Sequence, residues 1–181
     1  MKRQFWLLAL ILSACSFPFN YSINLLDYLE VEGTFQVGAG GIDPNPKDVG
    51  PVQVSWNPDP RVSLSGATLE FRVCFTSQTS GAAFSGTLAY TAYLGAQGGS
   101  GLFVPANKVA EGTRNISGLG SGSVCVEGQA NLTPAQLQAI QSGNFYVGAR
   151  ISGTAQSAQE AIIRYRGEVF RLNLSGSVRP F

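Results

Sequence analysis

The segment 67–76 places the strongest limit on the fold. Apolar and polar residues alternate along it, the apolar set being Leu69, Phe71, Val73 and Phe75. Side chains alternate between two faces in a β-strand, so this segment is predicted to bury one face and expose the other. Shorter strand patterns occur at Thr34–Val37, Val52–Trp56, Gly86–Leu94, Leu102–Val104, Ser123–Glu127 and Phe145–Ile151. Gly- and Pro-rich turns separate them, which predicts an all-β protein, an antiparallel β-sandwich with one short capped helix.

The single helix is predicted after Leu132. Thr133 is suited to the N-cap, Pro134 to the first helical position, and Gln136 completes a capping box. Gly143 provides the stop. The stretch LTPAQLQAIQSGNFYVGARISG, residues 132–153, resembles the helix-to-strand segment of chordin-type CHRD domains, although it lacks their following histidine and acidic glycine motif. That resemblance implies an antiparallel β-domain.

The C-terminal segment contains two alternating patterns of opposite phase. Ile163 and Tyr165 share one parity, and Phe170 and Leu172 share the other. The phase changes near Gly167, so the sequence predicts either a tight hairpin or a β-bulge there.

The N-terminus, MKRQFWLLALILSACS, has the form of an export signal. Two basic residues precede an apolar run that is too short to span a bilayer. The tetrapeptide Leu12-Ser13-Ala14-Cys15 resembles the lipobox of bacterial lipoproteins. The resemblance implies cleavage before Cys15, acylation of Cys15 and retention at a membrane. Ser16 follows the cysteine in place of aspartate, which in that family favours the outer membrane of the cell envelope.

These patterns predict three regions. Residues 1–14 form the signal peptide, 15–32 a short lipid-anchored tether and N-terminal segment, and 33–181 a single β-sandwich domain. The aromatic residues Phe17, Phe19 and Tyr21 lie in the tether, where they either reach the lipid headgroups or cover one end of the core.

Composition excludes several kinds of activity. The chain contains no histidine, so a Ser-His-Asp or Cys-His catalytic apparatus cannot form. Loss of Lys2 and Arg3 with the signal leaves ten basic and eleven acidic residues, a balance that is not typical of nucleic-acid binding. No cofactor motif and no zinc-ligand pair occurs. We therefore expect a non-catalytic protein without a cofactor or a metal.

Two cysteines remain once Cys15 is acylated, and in an exported chain Cys74 and Cys125 are predicted to form a disulfide. Each has the opposite phase to its apolar neighbours, such as Val73 and Val124. The bridge is therefore predicted to join neighbouring antiparallel strands on the outer face of one sheet, with Cα atoms about 4.4–6.8 Å apart.

Further candidate sites are each compared with an ordinary structural role. Arg150, Arg164, Arg166 and Arg171 either form an anion-binding face or are solvated outward positions. The aromatic residues Trp56, Tyr90, Tyr93, Phe103 and Tyr146 either stack on sugars or belong to the core. The oxygen-rich residues Asp43, Asn45, Asp48 and Asp59 either bind Ca²⁺ or form turns. Glu70 and Glu127 are a carboxylate pair without a predicted cleft.

The sequence favours an envelope lipoprotein that serves as a structural or protein-interaction module, with the membrane as its first partner. The alternative is a binding module for glycan or another anionic envelope polymer, through the arginine-rich C-terminal region. The envelope partner, protein or glycan, is not identified by the sequence.

Overall fold

The computed structural model describes residues 16–30 and 32–179. The predicted signal peptide and Cys15 lie outside these ranges. Within them the chain forms twelve β-strands and one α-helix. The strands are β1 (Phe17–Asn24), β2 (Glu32–Gly38), β3 (Gly41–Asp43), β4 (Lys47–Ser55), β5 (Val62–Ser77), β6 (Phe84–Ser85), β7 (Thr87–Gly95), β8 (Lys108–Asn115), β9 (Ser123–Asn131), β10 (Asn144–Gly153), β11 (Gln156–Ser157) and β12 (Ala161–Val178). The helix α1 spans Pro134–Gln141.

Two antiparallel sheets form the predicted β-sandwich. The six-stranded sheet has the order β3-β2-β12-β5-β9, and β1 pairs with β12 beyond the end of β2. The four-stranded sheet has the order β4-β10-β7-β8. A small two-stranded sheet joins β6 and β11. None of the helices in the described ranges has the length and apolar character needed to cross a membrane.

The core lies between the two sheets because their strands alternate as predicted. In β5 the buried side chains are Leu69, Phe71, Val73 and Phe75, while Arg72 and Thr76 are exposed. Fully buried aromatic residues come from both sheets, with Phe75 and Phe170 on one side and Phe145 on the other. Each such side chain contributes roughly 1.5–3 kcal/mol through removal from water.

Strand β12 resolves the two readings of the C-terminal segment. It runs unbroken and pairs with β5 from Ile163↔Ser77 to Val178↔Val62. The register shifts between Gly167 and Val169, so the change of phase is a β-bulge within one strand and not a hairpin.

The N-terminal segment differs from the expected tether. Phe17–Asn24 is strand β1, paired with β12 over eight residues from Phe17↔Val178 to Asn24↔Arg171. A short 3-10 turn follows at Leu25–Asp27, and Leu25 and Leu29 are buried in the core. The sandwich therefore begins at Phe17, because the side chains of this segment supply part of its apolar interior.

The predicted helix forms with its capping box. The Gln136 backbone N–H donates to Thr133 Oγ1 at 3.4 Å, and the Thr133 N–H donates to Gln136 Oε1 at 2.9 Å. Gly143 has a φ of 86°, the left-handed conformation that ends the helix. The amide of Gln141 donates to the Leu64 carbonyl, so the helix closes one end of the sandwich.

One predicted strand is wrong, and several strands were missed. The segment 102–104 connects two 3-10 turns, Gly99–Leu102 and Pro105–Asn107, because glycines and a proline flank its short apolar run. Besides β1, the missed strands are the very short β3, β6 and β11 and the longer β8, whose alternation is weakened by Glu111 and Gly112.

Glycine allows the two sheets to approach each other along one side. Strand β8 of the four-stranded sheet runs beside β9 of the six-stranded sheet. A Cβ atom on Gly112 would overlap the backbone carbonyl of Glu127 in the other sheet, whereas one on Gly128 would overlap the ring of Phe71, its partner in the same sheet. The sandwich is thus closed at this edge by backbone contact that a larger side chain would block.

We predict that Gly112→Ala lowers the free energy of unfolding by about 1–3 kcal/mol, because the new methyl group forces β8 away from β9. The matched control is Gly118→Ala, whose Cβ would meet open space and whose effect should stay within about 0.5 kcal/mol. Urea denaturation of the purified protein measures both. Equal stability of the two variants would contradict the close approach of the sheets.

Candidate functional site

The disulfide between Cys74 and Cys125 forms as predicted, on adjacent antiparallel strands of one sheet. The two residues are direct register partners in β5 and β9. They lie on the face opposite the buried Val73, Phe75 and Val126, so the bond is on the outer face of the six-stranded sheet. Cys74 is 9% exposed, because neighbouring side chains on this face cover it.

The Cα atoms of Cys74 and Cys125 are 4.0 Å apart, which is shorter than the predicted range. Residues that face each other directly in an antiparallel pair approach more closely than most bridged cysteines, down to about 4.5 Å at positions without mutual hydrogen bonds. The directly opposed register therefore favours a short spacing, and the 4.0 Å found here lies below even that value.

Ion pairs surround the disulfide. Arg72 contacts Glu127 at 3.0 Å and Glu168 at 2.9 Å. The Glu168 carboxylate and both cysteine sulfurs lie within 4.8 Å of one another. This trio is not suited to a metal ion, because the sulfurs are joined to each other and cannot act as thiolate ligands.

Three of the four predicted anion-binding arginines share this outer face. Arg164 is paired with Glu32, and Arg171 approaches Glu70 at 3.5 Å. Arg166 is exposed and stands opposite Glu32 and Cys74 in the strand register. Each arginine thus has a carboxylate in the neighbouring strand, and the face alternates positive and negative charge.

Arg150 does not join that group, because it belongs to β10 in the four-stranded sheet. Its Nε donates to Asp48 Oδ1 at 2.6 Å, and its guanidinium lies 4.7 Å from the centroid of the Phe103 ring. The hydrogen bond that Arg150 donates to the Asp48 carboxylate raises the pKa of the Arg150 guanidinium. The expected four-arginine surface is therefore divided between two sheets.

The predicted aromatic platform is also divided. Tyr90 is 7% exposed and packs against Phe71 in the core, and its burial raises the pKa of its hydroxyl. Tyr93 and Phe103 pack edge to face at 5.4 Å on the outside of the four-stranded sheet, where Phe103 is 8% exposed. These rings fix the loop after β7 to its own sheet, so they do not present a stacking surface.

The proposed calcium ligands have other partners. Asp48 binds Arg150, and the Asp59 carboxylate is held by Arg61. The hydrogen bond from the Arg61 side chain lowers the pKa of Asp59 to about 2. In residues 16–30 and 32–179, no three carboxylates converge in this region.

Glu70 and Glu127 line one shallow groove on the outer face, with a volume of about 330 Å³. Glu70 is paired with Arg171 and Glu127 with Arg72. Paired in this way, both carboxylates are already satisfied by guanidinium groups.

A row of aromatic side chains crosses the N-terminal end of the sandwich. We call it the aromatic row, and it comprises Phe17, Phe19, Tyr21 and Trp56. Ring centroids are 6.3 Å apart between Phe19 and Tyr21 and 6.4 Å apart between Tyr21 and Trp56. The sequence singled out the three residues of β1, but the place of Trp56 was missed. The signal that these three aromatic residues lie on one face of a strand was their period-two spacing, which continues to the buried Ile23.

The β1 aromatics cover the end of the core only in part. Phe19 and Trp56 are partly buried and pack against the core. Phe17 and Tyr21 remain 60% and 50% exposed. The row therefore covers the end of the core and also presents apolar surface to the outside.

We predict that the double replacement Cys74→Ala and Cys125→Ala lowers the free energy of unfolding by about 4 kcal/mol, because the bond closes a loop of 51 residues. Chemical denaturation measures the loss, and wild-type protein in reductant should match the variant. In a Cys15→Ser background, titration of unfolded, unreduced protein should find no reactive thiol. Two thiols per chain would contradict the bond.

The comparisons with known proteins give a coarse likeness and no family. No family model matches the chain, and no curated protein matches it in sequence. A structure of infectious bursal disease virus, Gx strain, is 12% identical and covers 90% of this chain and 36% of that chain, with a TM-score of 0.34. A CocE/NonD family hydrolase from Staphylococcus aureus is 9% identical, and the match covers 91% of this chain and 37% of the hydrolase chain, with a TM-score of 0.34.

A smaller protein gives a similar result. The C-terminal CBM6 of the marine laminarinase LamC from Zobellia galactanivorans is 15% identical and covers 82% of this chain and 99% of that chain, with a TM-score of 0.29. The chain spans little more than a third of the viral and hydrolase chains. Scores this low carry no inference about activity, substrate or partner.

Proposed function

We propose that the protein is a non-catalytic lipoprotein of a bacterial cell envelope, a β-sandwich anchored to a membrane by acylated Cys15 and acting as a structural or protein-interaction module. The observation that carries the proposal is the position of β1. This strand begins only two residues after Cys15. An acyl anchor at that position holds a folded domain directly against the bilayer, and several acyl chains make such an anchor stable.

The arrangement of charged groups supports a non-catalytic role. With no histidine in the chain, acid–base chemistry near neutral pH would fall to carboxylates or shifted cations. Glu70 and Glu127, the candidate pair, are each engaged by an arginine on an exposed sheet face. A general acid or base would require a desolvated cleft, which this surface does not provide.

Edge strands support an interaction role. Strand β1 pairs with β12, and its other edge has no strand partner among the described residues. Pro18 lies in β1 and Pro51 in the edge strand β4, positions where the missing N–H is tolerated. An accessible edge is a common place for a second protein to pair.

We predict that Cys15→Ser abolishes acylation and releases the protein from the membrane fraction, because the serine hydroxyl cannot accept the thioether-linked lipid. Fractionation of cells and labelling with a radioactive fatty acid measure the two effects. The control is Ser13→Ala, which retains a small residue near the cleavage point and should behave as wild type. A Cys15→Ser protein that still matures and stays with the membrane contradicts the lipoprotein proposal.

The alternative function, binding of an anionic envelope polymer, has one supporting observation. Arg164, Arg166 and Arg171 all point outward from β12. The carboxylates of Glu32 and Glu70 pair with Arg164 and Arg171, which weakens the positive electrostatic potential that an anionic ligand would meet.

If this face binds an anionic polymer, replacing Arg164, Arg166 and Arg171 together by Gln should weaken binding of purified envelope polysaccharide and flatten its salt dependence. The matched control replaces Lys47, Lys108 and Arg114, which lie in the four-stranded sheet, and changes the net charge equally. Binding that is equal in both variants at low salt removes this alternative.

A further inference from the structure

The aromatic row is apolar surface placed at one end of the domain. Phe17 and Tyr21 are the two most exposed of the large hydrophobic side chains in the described part of the chain, at 60% and 50%. The Tyr21 ring stacks with those of Phe19 and Trp56, and Phe17 is the next aromatic residue at the same two-residue spacing along β1. Exposed apolar side chains gathered in this way mark a contact surface more often than scattered ones do.

The row is held rigidly by the sheet. Phe17, Phe19 and Tyr21 are the register partners of Val178, Gly176 and Leu174 in β12. Trp56 follows β4, and its backbone N–H donates to the Gly143 carbonyl at 2.8 Å. Two strands from different sheets and the turn after α1 therefore fix the rings, so little conformational entropy is lost when they bind a surface.

The chain leading to Cys15 identifies what covers the row. Only Ser16 lies between Cys15 and Phe17, so the two residues are at most about 7 Å apart along the chain. An acylated Cys15 must lie in the outer part of a leaflet, so Phe17 cannot lie far from the headgroups.

We propose that the aromatic row inserts into the headgroup region of the leaflet that holds acylated Cys15, and that it seats the sandwich on the bilayer end-on in one orientation. This inference rests on the proposed lipid anchor and adds a second, non-covalent contact with the same membrane. The occupant is a lipid surface, recognised by apolar rings with polar edges.

The chemistry of the row suits that position. Tyrosine and tryptophan have an apolar body and a polar tip, and they are enriched at membrane interfaces for that reason. Arg179 is exposed at the same end, where its backbone N–H donates to the Arg61 carbonyl at 3.1 Å. A guanidinium there can bind a lipid phosphate while the rings enter the interface.

Because the anchor is short, weak binding of the aromatic row to the membrane is enough to keep the row in contact with it. Four aromatic rings give limited membrane affinity to a free protein. Attachment through a short linker makes the second contact intramolecular, at an effective concentration in the millimolar range. The row is therefore expected to be occupied in the anchored protein even though it would bind vesicles poorly alone.

Trp56 provides a direct test. The chain has two tryptophans, Trp6 and Trp56, and removal of residues 1–14 leaves Trp56 alone. The mature acylated protein is reconstituted into vesicles of phosphatidylethanolamine and phosphatidylglycerol, with bromine placed either near the headgroups or deep in the acyl chains. We expect a blue shift of the Trp56 emission, and a loss of intensity that is larger with shallow bromine.

The matched variants are Phe17→Ser with Tyr21→Ser, and the control Ile162→Ser. Ile162 is 43% exposed and lies near the opposite end of β12 from Val178. The double variant should lose most of the quenching while it stays in the vesicles, and the control should keep it. Thermal unfolding followed by circular dichroism confirms that each variant is folded.

The outcomes separate the two proposals. A protein that is acylated at Cys15 and bound to vesicles, but whose Trp56 is not quenched by bromolipid and is freely quenched by aqueous iodide, overturns the seating and leaves the lipoprotein function intact. A chain that is not acylated at Cys15 overturns both. Protection of Trp56 from iodide only when a second envelope protein is added assigns the row to a protein partner and also overturns the seating.

Discussion

The antiparallel pairing of β12 with β5 is the interaction on which the rest of the fold depends. It runs almost the whole length of both strands, from Ile163↔Ser77 to Val178↔Val62. The other edge of β12 pairs with β2 and then with β1, so three of the other five strands of the six-stranded sheet pair directly with this strand. The bulge after Gly167 keeps apolar side chains on the inner face on both sides of the break.

The outer faces of the molecule are arranged so that charge is balanced locally. Arg72 of β5 lies between Glu127 and Glu168, and in β12 Arg164 and Arg171 pair with Glu32 and Glu70. Exposed pairs of this kind contribute on the order of 0.2–1 kcal/mol each, so they add little to stability. Their effect is to keep a broad sheet face hydrated and nearly neutral, which leaves the aromatic row as the surface that differs most from its surroundings.

The sequence was sufficient for the β-sandwich, the helix and the disulfide, because each depends on local pattern. Alternation in β5 gave its buried face, and the same parity argument placed Cys74 and Cys125 on the outside. The capping residues Thr133 and Gln136 lie three positions apart and define the helix start without any distant contact.

The remaining features depend on contacts between distant parts of the chain, which a single sequence does not contain. Arg150 was grouped with the β12 arginines because strand order cannot be read from composition. Trp56 stacks with Tyr21 only because the residue after β4 and the middle of β1 lie side by side in the folded sandwich. β1 itself was interpreted as a tether because its position beside the proposed lipid anchor was given more weight than the alternation of its apolar residues with Asn20 and Ser22.

The pairing of β1 with β12 has a consequence for biogenesis. Ser22 and Asn173 hydrogen-bond across a sequence separation of 151 residues, and β2 also requires β12 as its neighbour. Contacts of this range form late, because a long stretch of chain must be ordered before they can be made. Strand β1 therefore has no partner until β12 has been synthesised, and the six-stranded sheet is completed only then. For the export that we propose, this topology keeps the sheet incomplete, and the chain in a transportable form, until β12 has crossed the membrane.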